Sequence, residues 1–506
     1  MEEKIKQAIE NIAKNLEVHK EYIRFDNTEQ IYIIEDYLNN KIIEIKKNIK
    51  FDNLIDYPLK FYYCDFLETV IGRNKTFKEK IIFEEVVFCK VVNFSFSIFD
   101  KNINFSNVKF EDKLYFDKCQ FKEKFEFFGI NNLKAEFNSS HFKKEVYFGK
   151  EITDKNVEKS NSFGSCSFEY ANFSNCHFKK EVYFKNNDFK QVFFRNSKFN
   201  NNIHFNNSIF KDYADFHECE FEKTACFYGV KFDKTPNFSQ AIFKGNLNAV
   251  NTNLNFTFDD LQERIKQEYA FYETQRTAKE AGVIPNLYQE KSLDKFANDF
   301  RDSFRIFKNA LIKDNNLLDA SNFHKYELYC KEIELKNKKG KTFKDVVDRW
   351  QLLFYRKLCD HHTNLILNLK WFIVIVGFFT SILFGLRYGD GNLMQFFNKD
   401  SDLLKMLKNI LNIKALNDSN ATYLILLYSF IGLFFVRTFF IFYYLVIFIL
   451  MLAISPYNLF TMINFAIRHE TNSFLENIII IIYTLSIVLI IFSLQKTARK
   501  NSIVPS

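Results

Sequence analysis

Phenylalanine recurs along the middle of this chain in a metre that few folds accommodate. Phe83, Phe88, Phe94, Phe99, Phe105, Phe110, Phe116, Phe121 and Phe127 are separated by alternating steps of five and six. After an irregular middle that holds Phe168, Phe173 and Phe178, the metre returns at Phe199, Phe205, Phe210, Phe216, Phe221, Phe227, Phe232, Phe238 and Phe243. A helix repeats at three and four residues and a strand at two, so neither describes the ladder. An 11-residue period marks a stacked repeat architecture. A large apolar residue after every short extended piece suits a chain that turns a corner and points each ring at a common axis. Side chains alternate in extended segments, so the residue two before each Phe also faces inward. Before a Phe reached by five residues stand small side chains, among them Ser97, Cys119, Ser140, Ala171, Cys176, Ser197, Ser208 and Cys219. Before one reached by six stand larger ones, among them Ile81, Val92, Ile103, Leu114 and Val182.

Ala171-Asn172-Phe173-Ser174-Asn175, Cys176-His177-Phe178, Ala214-Asp215-Phe216 and Ala241-Ile242-Phe243 each set a small residue two places before a central Phe. In this the chain resembles pentapeptide-repeat proteins, in a Phe-rich form. The resemblance implies a right-handed, four-sided parallel β-helix. The alternating sixth residue departs from the family pattern and would widen every second corner. Residues 61–243 then make about eight coils, roughly 35–40 Å tall. Some members of that family act on DNA gyrase by imitating DNA. Here residues 77–245 carry 26 Lys and Arg against 23 Asp and Glu. That balance gives neither an acidic shell nor a basic stripe, so nucleic acid is not expected as a partner.

Five of the nine cysteines, Cys64, Cys119, Cys166, Cys176 and Cys219, occupy the small inward slot. None forms C-x-x-C and no His pair completes a zinc spacing, so they read as core and no metal or cofactor is assigned. The opening Met1-Glu2-Glu3-Lys4 is a charged helical start, not a signal peptide. The repeat domain is therefore expected in the cytoplasm, where unpaired thiols are normal.

Residues 1–60 read as a helical or mixed cap with an Ile5, Ile9, Ile12, Leu16 stripe, and residues 61–258 as the β-helix with a looped insertion near 149–162. Residues 259–362 read as a helical linker. Asp260 with Glu263 resembles a capping box for its first helix. A hairpin follows, broken at Asp314-Asn315-Asn316. Arg305, Lys308, Ala320, Phe323 and Glu327 are similar to the helical segment between coil and membrane in bacterial pentapeptide-repeat membrane proteins. His324 and Glu327 share a helix face, but without a second copy they are not assigned to a metal. His361-His362 is read as part of a membrane-proximal helix, where neighbours diverge by about 100° and rarely bind one ion. An interfacial role is preferred.

Residues 363–506 read as a transmembrane domain with spans at about 371–388, 421–436, 438–454 and 477–495. Basic residues before the first span and after the last place both ends in the cytoplasm, which requires an even number of spans. Arg437, the one charge in a 34-residue apolar run, is the candidate functional residue of the membrane. The expectation is a multi-pass bacterial inner-membrane protein whose partners are the lipid bilayer and an unidentified protein, with an oligomer compatible. No P-loop, G-x-S-x-G or H-E-x-x-H occurs, so the chain is not read as an enzyme. Two functions stay open. One is a membrane-anchored scaffold presenting a rigid β-helix surface to a protein; the other is a channel or transporter regulated by that column.

Overall fold

The computed structural model describes residues 2–149, 165–280, 291–388 and 474–498. The chain divides into two units, Met1–Val346 and Val347–Pro505. The first is built on a right-handed parallel β-solenoid of about nine turns. Its first wall stacks Ile31–Ile34, Leu59–Tyr62, Ile81–Glu84, Ile103–Ser106 and Phe125–Phe128, and runs on to Leu247–Asn248. The register sets Phe61 on Phe83, Phe83 on Phe105 and Phe105 on Phe127. Two 11-residue repeats make one coil, so like residues meet from coil to coil.

Each coil turns two kinds of corner. Where the step is five, the second residue after the Phe has positive φ: Glu85 (53°), Phe96 (64°), Asn107 (53°), Lys118 (54°), Asn196 (54°), Asn207 (56°). The Phe carbonyl accepts from the N–H three residues on, as from Ser197 to Phe194 at 3.0 Å. Positive φ at the third turn residue alone is the type II pattern. Asn is common there because it tolerates the left-handed region. At Gly129 and Gly229 a Cβ would stand 2.2 and 2.3 Å from Oδ1 of Asn107 and Asn207 in the preceding coil, so the close stack as well as φ calls for glycine. The six-residue corners contain no left-handed residue among the described residues. They turn more widely by spending the extra residue.

The solenoid starts about thirty residues before the expected boundary at 61. Ile31–Ile34, Ile43–Ile45 and Ile49–Lys50 already pair in parallel with the next coil. Ile34 and Ile45 fill the places below Phe61 and Phe66, so these two places of the first coil hold no Phe to reveal them, although Phe51 is already buried against Phe77 and Phe94. The expected cap of residues 1–60 shrinks to α1 (Glu2–Leu16) and β1 (Ile23–Asp26). β1 pairs antiparallel with β2 (Ile31–Ile34). Ile12 and Leu16 of the expected stripe are buried, whereas Ile5 and Ile9 are only partly covered. Ala171 is also reassigned. It stacks with Leu114, Ala135 and Val192 in the column of larger residues, because the coils at 168–173 and 189–194 lose the sixth residue and run through that corner as Ser167–Asn172 and Asp188–Phe193. Beyond Gly149, the expected insertion lies outside the described residues.

Three helices follow in this unit: α2 (Phe258–Glu280), α3 (Leu293–Lys313) and α4 (Leu317–Asn337). The capping box of α2 is Thr257 with Asp260 rather than Asp260 with Glu263. Thr257 N–H donates to the Asp260 carboxylate at 2.9 Å and Asp260 N–H to Thr257 Oγ1 at 3.2 Å, so the cap sits three residues earlier. Ala297, Phe300, Phe304, Phe307 and Leu311 form the buried stripe of α3. Phe307 sits on the open end of the column, 4.8 Å from the Phe238 ring and 5.7 Å from Phe227. Tyr326 of α4 donates its hydroxyl to the Phe256 carbonyl at 3.0 Å.

The boundary between the units falls within α5 (Phe343–Cys359). The second unit continues with α6 (Leu365–Tyr388) and α7 (Phe474–Ala498). Ile478–Ala498 within α7 is long and apolar enough to cross a membrane, and the apolar run Leu365–Phe379 of α6 is shorter. The expected spans 371–388 and 477–495 fall in α6 and α7. The spans 421–436 and 438–454, with Arg437 between them, lie outside the described residues. His361 and His362 do not stand on a helix. They follow the end of α5 in a turn where Asp360, His361 and His362 all have positive φ (51°, 54° and 67°).

Candidate functional surface

The ladder rings fill the solenoid. Phe83 through Phe121, Phe168, Phe173, Phe178 and Phe199 through Phe238 of the ladder are buried, and only Phe243, at the open end, is half-buried. Two columns run unbroken. One is Phe94, Phe116, Phe137, Phe173, Phe194, Phe216 and Phe238; the other is Phe77, Phe99, Phe121, Phe142, Phe178, Phe199, Phe221 and Phe243. Successive centroids lie 4.5–5.4 Å apart. Stacked rings at that spacing leave no room for a ligand on the axis, which moves any recognition to the outside.

The small slot does more than make room. Ser197 Oγ donates to the Phe173 carbonyl one coil back at 2.6 Å and accepts the Cys176 N–H at 2.9 Å. Ser140 does the same for Phe116 and Cys119. The thiols of Cys119 and Cys219 donate to the carbonyls of Phe94 and Phe194 at 3.1 and 2.9 Å. Asn187 takes the same place: its Nδ2 reaches the Phe148 carbonyl at 2.8 Å. Buried backbone groups at the tight corners thus gain partners. Burial pushes the Cys64, Cys119 and Cys166 thiols up to about 12 and raises Cys176 as well.

On the walls, ion pairs tie each coil to the next: Lys122–Asp100 at 2.7 Å, Lys211–Asp188 at 2.6 Å, Lys244–Glu222 at 2.8 Å. One corner departs from this. Phe142 stacks on Phe178, which brings Lys143 and Lys144 beside Lys179 and Lys180. All four are exposed, and none pairs with a described acidic residue. Around the same corner Tyr147, Tyr183 and His204 stack outward at 4.8 and 5.0 Å. His141 and His177 flank the lysines on the other side, 5.9 Å apart. Burial lowers the pKa of His141, helped by the charge it faces from His177, Lys179 and Lys143. The step metre did not separate these lysines from the paired ones, since pairing depends on which coil lies above.

One polar cluster ties α2 to the solenoid and a second joins α3 to α4. α2 lies against the solenoid beside Asp215, which is fully buried. Arg195 Nε donates to Asp215 at 2.8 Å and its guanidinium reaches Glu268 of α2 at 3.5 Å. Tyr213 donates to Glu268 and lies 3.7 Å under the Arg264 guanidinium. In the hairpin, three of the residues likened to the family's helical segment, Arg305, Lys308 and Glu327, come together. Glu327 of α4 accepts from Arg305 at 3.0 Å and Lys308 at 2.8 Å, both on α3, and stands 3.2 Å from His324 Nδ1. Burial alone would raise the Glu327 pKa, but the bonds from His324, Lys308 and Arg305 outweigh it and bring it to about 2. The carboxylate is thus engaged by three partners.

In the second unit the left-handed turn carries His362 into a buried polar group. Its Nδ1 lies 3.3 Å from Thr497 Oγ1, 3.4 Å from Ser493 Oγ and 3.5 Å from Cys359 Sγ. Asn368 Nδ2 donates to Ser493 at 2.9 Å. The group fastens the start of α6 to the end of α7. Among the described residues no set of three or more His, Cys, Asp or Glu is placed to hold a metal ion.

A comparison with protein families matches residues 173–220 to pentapeptide repeats, nine copies. With the four-walled parallel solenoid around it, that match supports a pentapeptide-repeat protein. No curated protein and no solved structure matches the chain.

Proposed function

We propose that this protein is a membrane-anchored scaffold that presents the outside of its β-helix to a protein partner in the cytoplasm. The observation that carries this reading is the corner at Lys143, Lys144, Lys179 and Lys180. It is a charged, unpaired surface on a column whose interior is filled with rings. Coils spaced about 4.8 Å apart hold these lysines in a fixed array beside the Tyr147–Tyr183 stack, which suits an acidic protein segment. The anchor is a four-span domain in a bacterial inner membrane, with Arg437 at a cytoplasmic turn. The test is cross-linking in intact membranes, comparing the natural chain with a variant that changes the four lysines to glutamate. A partner recovered with the natural chain and lost with a normally folded variant supports the scaffold. Equal recovery, or ion flux through the purified protein in liposomes, overturns it in favour of the channel.

A further inference from the structure

We propose that α5 lies in the headgroup layer of an anionic bilayer, with Val347, Trp350 and Phe354 turned toward the acyl chains. This rests on the membrane reading above. Phe343, Val347, Trp350 and Phe354 follow one another at four, three and four residues and so share one helix face. The face is bare: Phe343 is 85% exposed and Trp350 65%. The helix already has its protein contact on another side, where Tyr355, Leu358 and Cys359 pack with Trp371 of α6 and with Ile490 and Leu494 of α7. Among the described residues, the outward stripe is therefore left over after this packing.

Two observations identify what covers it. α5 is followed directly by α6, whose partner α7 is exposed on Ile481, Leu485, Val488 and Phe492, an apolar surface continuous in kind with the stripe. Charge gives the second. Residues 336–357 hold eight Lys or Arg against two Asp. Aromatic side chains on one face with lysine and arginine around it are the composition of a helix lying in the interface plane, and the excess positive charge favours anionic headgroups.

Trp350 and Trp371 are the only two tryptophans in the chain, so each can be made the sole reporter. The full chain is reconstituted into phosphatidylglycerol–phosphatidylcholine vesicles containing phospholipids brominated at shallow or deep acyl positions. In the Trp371→Phe protein, Trp350 emission should be quenched about twofold more by shallow than by deep bromines, as expected for a helix lying at the headgroup boundary. Quenching should weaken in phosphatidylcholine alone. Trp350→Phe leaves Trp371 to report whether α6 meets lipid at all. Quenched Trp371 with unquenched Trp350 overturns the placement of α5 while the membrane reading stands. If neither is quenched, the membrane reading itself fails. Blue-shifted but unquenched Trp350 means protein, such as a second copy, covers the stripe, and the proposal falls. Equal quenching in phosphatidylcholine alone removes the anionic lipid from it.

Discussion

At the scale of single residues, the slot two places before each tight-corner Phe is the informative position. Size alone would admit alanine everywhere, yet Ser140, Ser197 and Ser208 each close hydrogen bonds with buried backbone. Ser197→Ala should leave the Phe173 carbonyl and the Cys176 N–H each short of a bond, costing about 1–3 kcal/mol. Ser197→Cys should recover part of this, as Cys119 and Cys219 show thiols donating in the same place. Equilibrium urea unfolding of the two variants checks the order. The slot thiols should also resist maleimide in the folded protein at neutral pH, because thiols held near 12 are almost wholly protonated and are buried besides. Rapid native labelling of Cys119 and Cys166 would contradict the core assignment. The sequence showed that this position was small. It did not show that Asn187 belongs to it, because only stacking reveals that Asn187 reaches the Phe148 carbonyl.

At the scale of elements, the hairpin of α3 and α4 closes the column with Phe307, and Glu327 holds its two helices together. Phe307→Ala removes the ring resting on Phe238 and should cost about 3–5 kcal/mol, with faster hydrogen exchange in the final coils than in the first. Uniform exchange along the solenoid would show that the helix is no cap. Glu327 gives the hairpin an acid limit. Its folded pKa lies near 2, below the ordinary 4.5, so its stabilisation is fully present above the ordinary value and is lost as pH falls toward 2. Glu327→Gln should flatten the loss of helical signal between about pH 5 and 2. Helical spacing made α3 and α4 legible, and Arg305, Lys308 and Glu327 were readable as a set. Their convergence on one carboxylate was not, because it depends on how two helices face each other. The start of the solenoid was missed for a simpler reason: Ile34 and Ile45 do the work of phenylalanine without its conspicuous letter.

At the scale of the molecule, stability is shared between neighbouring coils, each of which contacts only the next. Removing residues 84–105, one 22-residue coil, would set Phe83 directly before the segment that follows Phe105 and preserve every wall. The shortened chain should fold with unchanged circular dichroism and a column shorter by about 4.8 Å in solution scattering. Loss of structure would argue that some coil is irreplaceable. The same periodicity has a darker side. A stack of identical parallel strands has no intrinsic reason to stop, because its last coil offers the next chain the same unpaired edge that it offered its own. Here β1 reverses direction at one end, and Phe307 with its hairpin blocks the other. These pieces act as terminators of polymer growth. A chain that lost them in proteolysis or during synthesis would carry the seed of a fibre, so the ends, not the filled interior, decide whether this column remains a single molecule.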